Sequence, residues 1–163
     1  MRKIGILLLL LVFAFGCAKT HSTQKEISTT VSGEMLFSGP NSLQAPLSIS
    51  ALTLAEELKI DPSKLKRIGV TDIQISLAED QVALAESLLL QIVSNNNEMT
   101  SLGTLSPLTN GTTFDLQVAE DIDLLPFLED EGATWVLDVN LSEDIMEEMQ
   151  ASASLNLSVN YKN

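Results

Sequence analysis

Two stretches near the end of the chain decide its fold class: Thr134-Trp135-Val136-Leu137-Asp138-Val139-Asn140-Leu141 and Ser152-Ala153-Ser154-Leu155-Asn156-Leu157-Ser158-Val159-Asn160-Tyr161. In the first, Trp135, Leu137, Val139 and Leu141 alternate with Thr134, Val136, Asp138 and Asn140. In the second, Ala153, Leu155, Leu157, Val159 and Tyr161 alternate with serines and asparagines. A period of two puts one set against a core and the other against water, as in antiparallel strands. Both stretches are therefore predicted strands. Between them Ser142–Met149, with Glu143, Asp144, Glu147 and Glu148, reads as an acidic connection that winds into a helical turn.

Working outward, the same period recurs in shorter runs. Thr71, Ile73, Ile75 and Leu77 alternate with polar neighbours and give a third strand. Phe114, Leu116 and Val118 follow Asn110-Gly111, the strongest hairpin-turn signal in the chain because both residues tolerate positive φ. Met99–Leu108 adds another short strand. Val82–Val93 fits a helix or a loop leading into a strand over Ser87–Val93; Leu88, Leu90 and Ile92, before the turn Ser94–Asn97, favour the strand. Val31, Gly33, Met35 and Phe37 alternate with Ser32, Glu34 and Leu36, a turn follows at Ser38–Asn41, and Leu47, Ile49 and Ala51 form the next strand after Pro46. Leu54–Leu58 is helical in composition. Asp61-Pro62 is an N-cap with proline in the first turn, opening a short helix to Arg67. Leu124, Leu125, Phe127 and Leu128 make one helical turn that plugs an end of the core. The sum is an all-β body, a two-sheet antiparallel sandwich of the immunoglobulin-like or a related Greek-key type, with one or two short helices.

The N-terminus decides location. Arg2 and Lys3 precede an unbroken apolar run from Ile4 to Phe15, which ends at Gly16-Cys17. That is the layout of an export signal, and its 12 apolar residues fall short of the roughly 20 needed to span a bilayer. With Gly16 before Cys17 the stretch resembles a bacterial lipoprotein precursor, although Ala14 stands where leucine is usual and Phe15 where a small residue is usual. The resemblance implies a signal peptide at 1–16 and acylation of Cys17 with palmitate-type chains; the polar run to Ser28, with no apolar period, reads as a tether over 17–28, and the remaining length reads as a single domain at 29–163. Ala18 after the cysteine implies delivery to the outer membrane of a cell envelope. The body is similar to the poorly characterised β-sandwich lipoproteins of Gram-negative bacteria. Ordinary cleavage after Ala14-Phe15-Gly16 is the alternative, and it leaves an exported domain with a free thiol. Either way, Cys17 is the single cysteine, so no internal disulfide supports the fold.

The chain carries 22 acidic and nine basic residues, a net charge of -13. From Ile68 to Tyr161 there is no lysine or arginine. Nucleic acid is excluded as a partner, because affinity for phosphate chains rests on basic side chains. No base accompanies a nucleophile: the single histidine, His21, lies in the expected tether, and triad and dyad chemistry needs a positioned base. Two carboxylates suffice for a glycosidase, but Phe114, Trp135 and Tyr161 fall on core faces and leave few aromatics to stack on sugars. A carboxylate hydrolase is thus the weaker alternative to a non-catalytic module that binds a protein or glycan or has a structural role. Calcium is the one cofactor the sequence allows. Its candidate ligands are Asp121 and Asp123, with Glu129, Asp130 and Glu131 in the next loop. An EF-hand is ruled out by Leu125 and Pro126, which stand where a ligand and the required glycine belong.

Overall fold

A computed structural model describes residues 19–108 and 110–162. Cys17 and the leader lie outside the described residues. The body is all-β and antiparallel: β1 Thr20–Gly33, β2 Gly39–Pro46, β3 Leu65–Leu77, β4 Ala85–Val93, β5 Thr100–Leu105, β6 Thr113–Asp115, β7 Gln117–Val118, β8 Thr134–Leu141 and β9 Met149–Lys162. Among the described residues three short helices, α1 Ala51–Leu58, α2 Glu79–Val82 and α3 Leu125–Leu128, and a 3₁₀ turn at Pro62–Lys64 complete it.

The strands form one continuous sheet in the order β6-β3-β9-β1-β2-β8-β4-β5-β7. Its two outer strands, β6 and β7, are successive parts of one run, Thr113–Val118. The first part pairs with β3 through Ile75 and Phe114, the second with β5 through Gly103 and Val118. Between them Leu116 N donates to Ile73 O at 2.9 Å. The run therefore bridges the open edges and rolls the sheet nearly into a barrel, so the expected all-β antiparallel class holds while the sheet is not clearly divided into the two layers of a sandwich. Main-chain groups at a free edge seek partners, and one segment serves both edges. Gly103 permits the approach: a Cβ there would stand 2.9 Å from Ile73 Cδ1 and 3.2 Å from Gln117 O.

The two leading strands are where the period placed them. Trp135, Leu137, Val139 and Leu141 on β8, and Ala153, Leu155, Leu157 and Val159 on β9, are buried in the core. Tyr161 is half-buried and stacks on His21 with ring centroids 5.7 Å apart. Val136 departs from the alternation. It is buried on the outer face, between its register partners Gln44 and Gln91. The strand over Ala85–Val93 and the α3 plug, with Phe127 and Leu128 buried, also agree with the sequence reading.

Several expectations are overturned. The tether over Ala18–Ser28 is largely strand: from Thr20 to Gly33, β1 pairs residue for residue with β9. Its side chains are mostly polar and gave no hydrophobic period, so the strand is held by main-chain bonds to a long partner. Asn110-Gly111 does not close a hairpin, since β5 pairs with β7 and β6 with β3. Residues 47–51 are not a strand. The strand is Gly39–Pro46, where Pro40 and Pro46 are tolerated because β2 pairs along its length with β8 and touches β1 only at Ser32↔Gln44. Ser50 then caps α1, its hydroxyl accepting from Thr53 N at 3.1 Å. Asp61 does cap its turn, accepting from Ser63 N at 3.0 Å, but the turn ends at Lys64, and Lys66 and Arg67 already belong to β3. The acidic connection 142–148 holds no helix; Ile145 instead bridges Leu36.

Candidate functional site

Antiparallel strands give the body two ends. At the first lie Thr20 and Lys162, paired across β1 and β9, the α1 region, and the loops 94–99 and 119–133. At the second lie the connections 34–38, 78–84, 106–112 and 142–148, tied by Leu36–Ile145, Ser142–Leu84, Leu77–Thr112 and Leu108–Glu86 backbone bonds.

All five calcium candidates lie at the first end, but they divide between two structural networks. Asp123 Oδ1 accepts from Ile68 N and Leu125 N, both at 3.0 Å. With Leu124 N donating to Ile68 O at 2.7 Å, the loop completes the edge of β3 that β6 leaves open. Asp121, at positive φ, is highly exposed and lies 3.6 Å from Arg67, whose guanidinium also donates to Ile122 O at 3.1 Å. Asp130 belongs to the other network. It accepts from Asn96 N at 3.0 Å and Asn96 Nδ2 at 2.6 Å. Hydrogen bonds from the Ser94 side chain, then from the Asn96 amide, hold its carboxyl below the usual carboxylate range. Glu131 contributes its backbone carbonyl to Asn95 Nδ2 at 3.2 Å, and Glu129 is exposed. Among the described residues no three acidic, histidine or cysteine side chains converge as a metal cage would require. The cleft of about 260 Å³ between β1 and α1 holds an ion pair, Lys25 Nζ to Glu57 Oε2 at 2.6 Å, in which each charge already has its partner.

The second end has a different character. The antiparallel bridge buries Leu36 (5% exposed) and Ile145 (9%), while the residues beside them, Met35, Phe37 and Met146, are 66%, 60% and 70% exposed. These three occupy facing arms of one small arch. Hydrogen bonds fix it: Asn41 Oδ1 accepts from Phe37 N at 3.0 Å, Asp144 Oδ1 from Ser38 N at 2.7 Å, and Ser142 O from Ser38 Oγ at 3.2 Å. Elsewhere the exposed large apolar residues, Leu52 and Met99, stand on separate segments.

Basic charge follows the same division. Among the described residues every lysine and arginine, namely Lys19, Lys25, Lys59, Lys64, Lys66, Arg67 and Lys162, lies on the half nearer the first end. The connections of the second end carry Glu34, Glu79, Asp80, Glu143, Asp144, Glu147 and Glu148 with no basic residue.

The sequence reading missed the arch because it ran the alternation of the first strand through Met35 and Phe37. That strand stops at Gly33, and the positive φ of Met35 reverses the sides, so Leu36 turns inward. A signal was present in Met146, a large apolar residue set among four carboxylates in a short connection.

No protein-family model and no curated protein matches the chain. Among solved structures it is similar to that of Desmodium yellow mottle tymovirus, at a TM-score of 0.34 and 8% identity over 91% of this chain and 93% of that chain. Turnip yellow mosaic virus gives 0.34 and 10%, over 92% of this chain and 86% of that one. Likeness at this level bears on neither the ancestry nor the activity of the chain.

Proposed function

We propose that the chain is a lipid-anchored, non-catalytic module of a cell envelope, held to the outer membrane through acylated Cys17 and binding a partner with its far end. Finer than the antiparallel all-β class, we read the body as a flattened barrel whose two leaves, β6-β3-β9-β1 and β2-β8-β4-β5-β7, stand in for the two layers of a sandwich. The observation that carries the reading is the polarity of the molecule. Strand β1 starts at Thr20, so only Ala18 and Lys19 separate it from an anchor at Cys17, and the body sits against the bilayer within about 10 Å. The described lysines and arginines lie on that side, interspersed with carboxylates such as Glu56, Glu57, Asp121 and Asp130, whereas the connections of the far end carry carboxylates alone. The acidic arch lies beyond the other end of a 14-residue strand, roughly 43 Å away at the usual rise. Mass spectrometry of the protein from its native envelope tests the anchor. Cys17 as an acylated first residue is expected; a free thiol or a retained leader overturns it.

A further inference from the structure

We propose that the arch of Met35, Phe37 and Met146 is a docking surface for a protein partner whose contact face is apolar at its centre and ringed by lysine or arginine. Three large apolar side chains exposed on two arms that the Leu36–Ile145 bridge pairs are unfavourable in water, and such patches mark interaction sites where scattered single residues do not. The bonds from Asn41, Asp144 and Ser142 fix the backbone that bears Phe37 and Ser38 in advance, so little conformational entropy is lost when a partner engages. Phe37 and the two methionines supply an aromatic anchor and adaptable thioethers, residue types favoured at the centre of interfaces.

Charge selects the occupant. Glu34 adjoins Met35 in the chain, Glu143 and Asp144 lead into Ile145, and Glu147 and Glu148 follow Met146, all of them exposed. No basic residue stands in any connection at this end to neutralise them. A second copy brought tip to tip would set these carboxylates against their like, and an anionic bilayer is repelled in the same way. A ring of basic side chains on the partner meets them favourably and steers its approach.

This inference deepens the reading of a tethered binding module, yet it does not need the lipid. The test replaces Phe37 with the photo-crosslinking residue p-benzoylphenylalanine in the full-length chain, within cells that produce it, and places the same residue at Leu52 as a control. An adduct to another protein at position 37, mapped beside lysine or arginine of that protein, is expected. It should fall by roughly tenfold when Glu147→Lys and Glu148→Lys are introduced, because rim charges act chiefly on the encounter rate. Position 52 should give no such adduct. The proposal is overturned if position 37 yields no adduct, an adduct to a second copy or to lipid, or one indifferent to the charge reversal. The mass of Cys17 in the same preparation reports on the anchor separately, so a failed anchor and a failed docking surface are told apart.

Discussion

The two ends of this nearly barrel-shaped sheet both carry carboxylates and put them to opposite uses. Around Asp123 and Asp130, carboxylates accept backbone and asparagine N–H groups, so they complete a strand edge and fasten two loops. Around Met146, carboxylates stand in water beside exposed apolar groups, and only Asp144 is bound into the backbone, through Ser38 N. Asp123 and Asp130 at the first end are structural acceptors. At the second the carboxylates other than Asp144 are surface, available to something outside the chain. Carboxylate count therefore says little about function here; what matters is whether each oxygen already has a donor.

The contrast is sharpest within the arch. Leu36→Ala removes a side chain packed in the core and should lower unfolding stability by about 2 to 5 kcal/mol. Phe37→Ser, one residue on, should change it by no more than about 0.5 kcal/mol. Urea unfolding of both variants checks this, and a large loss in the second would mean that Phe37 is structural. Next in size, Asp123→Ala strands the amides of Ile68 and Leu125 and should cost about 1 to 3 kcal/mol. At the other end Glu147→Gln should be neutral or slightly stabilising, since it relieves repulsion among like charges. Equal losses from the two changes would erase the distinction between ends.

Acid titration probes the first end again. The Asp130 carboxyl is held below its ordinary value by Ser94 and Asn96, so the stability it lends is fully present above the ordinary carboxylate range near 3.8. It is lost as pH falls below that range and through the lowered native value. In Asp130→Asn this part of the acid loss should vanish, visible as a flatter melting-temperature profile below pH 4. The smallest effect expected is from calcium. With Asp123 and Asp130 engaged by N–H donors, millimolar calcium should raise the melting temperature no more than magnesium does, since both screen surface charge alike. A saturable, calcium-specific rise would show that the first end can reorganise into a site.

Strand β8, most of β9, β4 and the α3 plug were legible because their information is local: a period of two, or a turn of apolar residues, survives without knowledge of the rest of the chain. The first strand was not, because Thr20–Ser28 carries mostly polar side chains and owes its conformation to the backbone of β9, more than a hundred residues away. The calcium candidates were legible as residue types but not as acceptors, since the donors to Asp123 and Asp130 come from Ile68 and Asn96, distant in sequence.

By itself, then, the sequence determined the antiparallel β class, the bulk of the core and the absence of positive charge from Ile68 to Tyr161. Only the tertiary structure decided that Thr113–Val118 spans both sheet edges and rolls the sheet nearly into a barrel, that Met35, Phe37 and Met146 share an exposed arch, and that all the described basic residues gather toward the opposite end. Side-chain periodicity is written residue by residue along the chain. Which edges meet, and which loops end up as neighbours, is set by hydrogen bonds between segments that the order of residues leaves far apart.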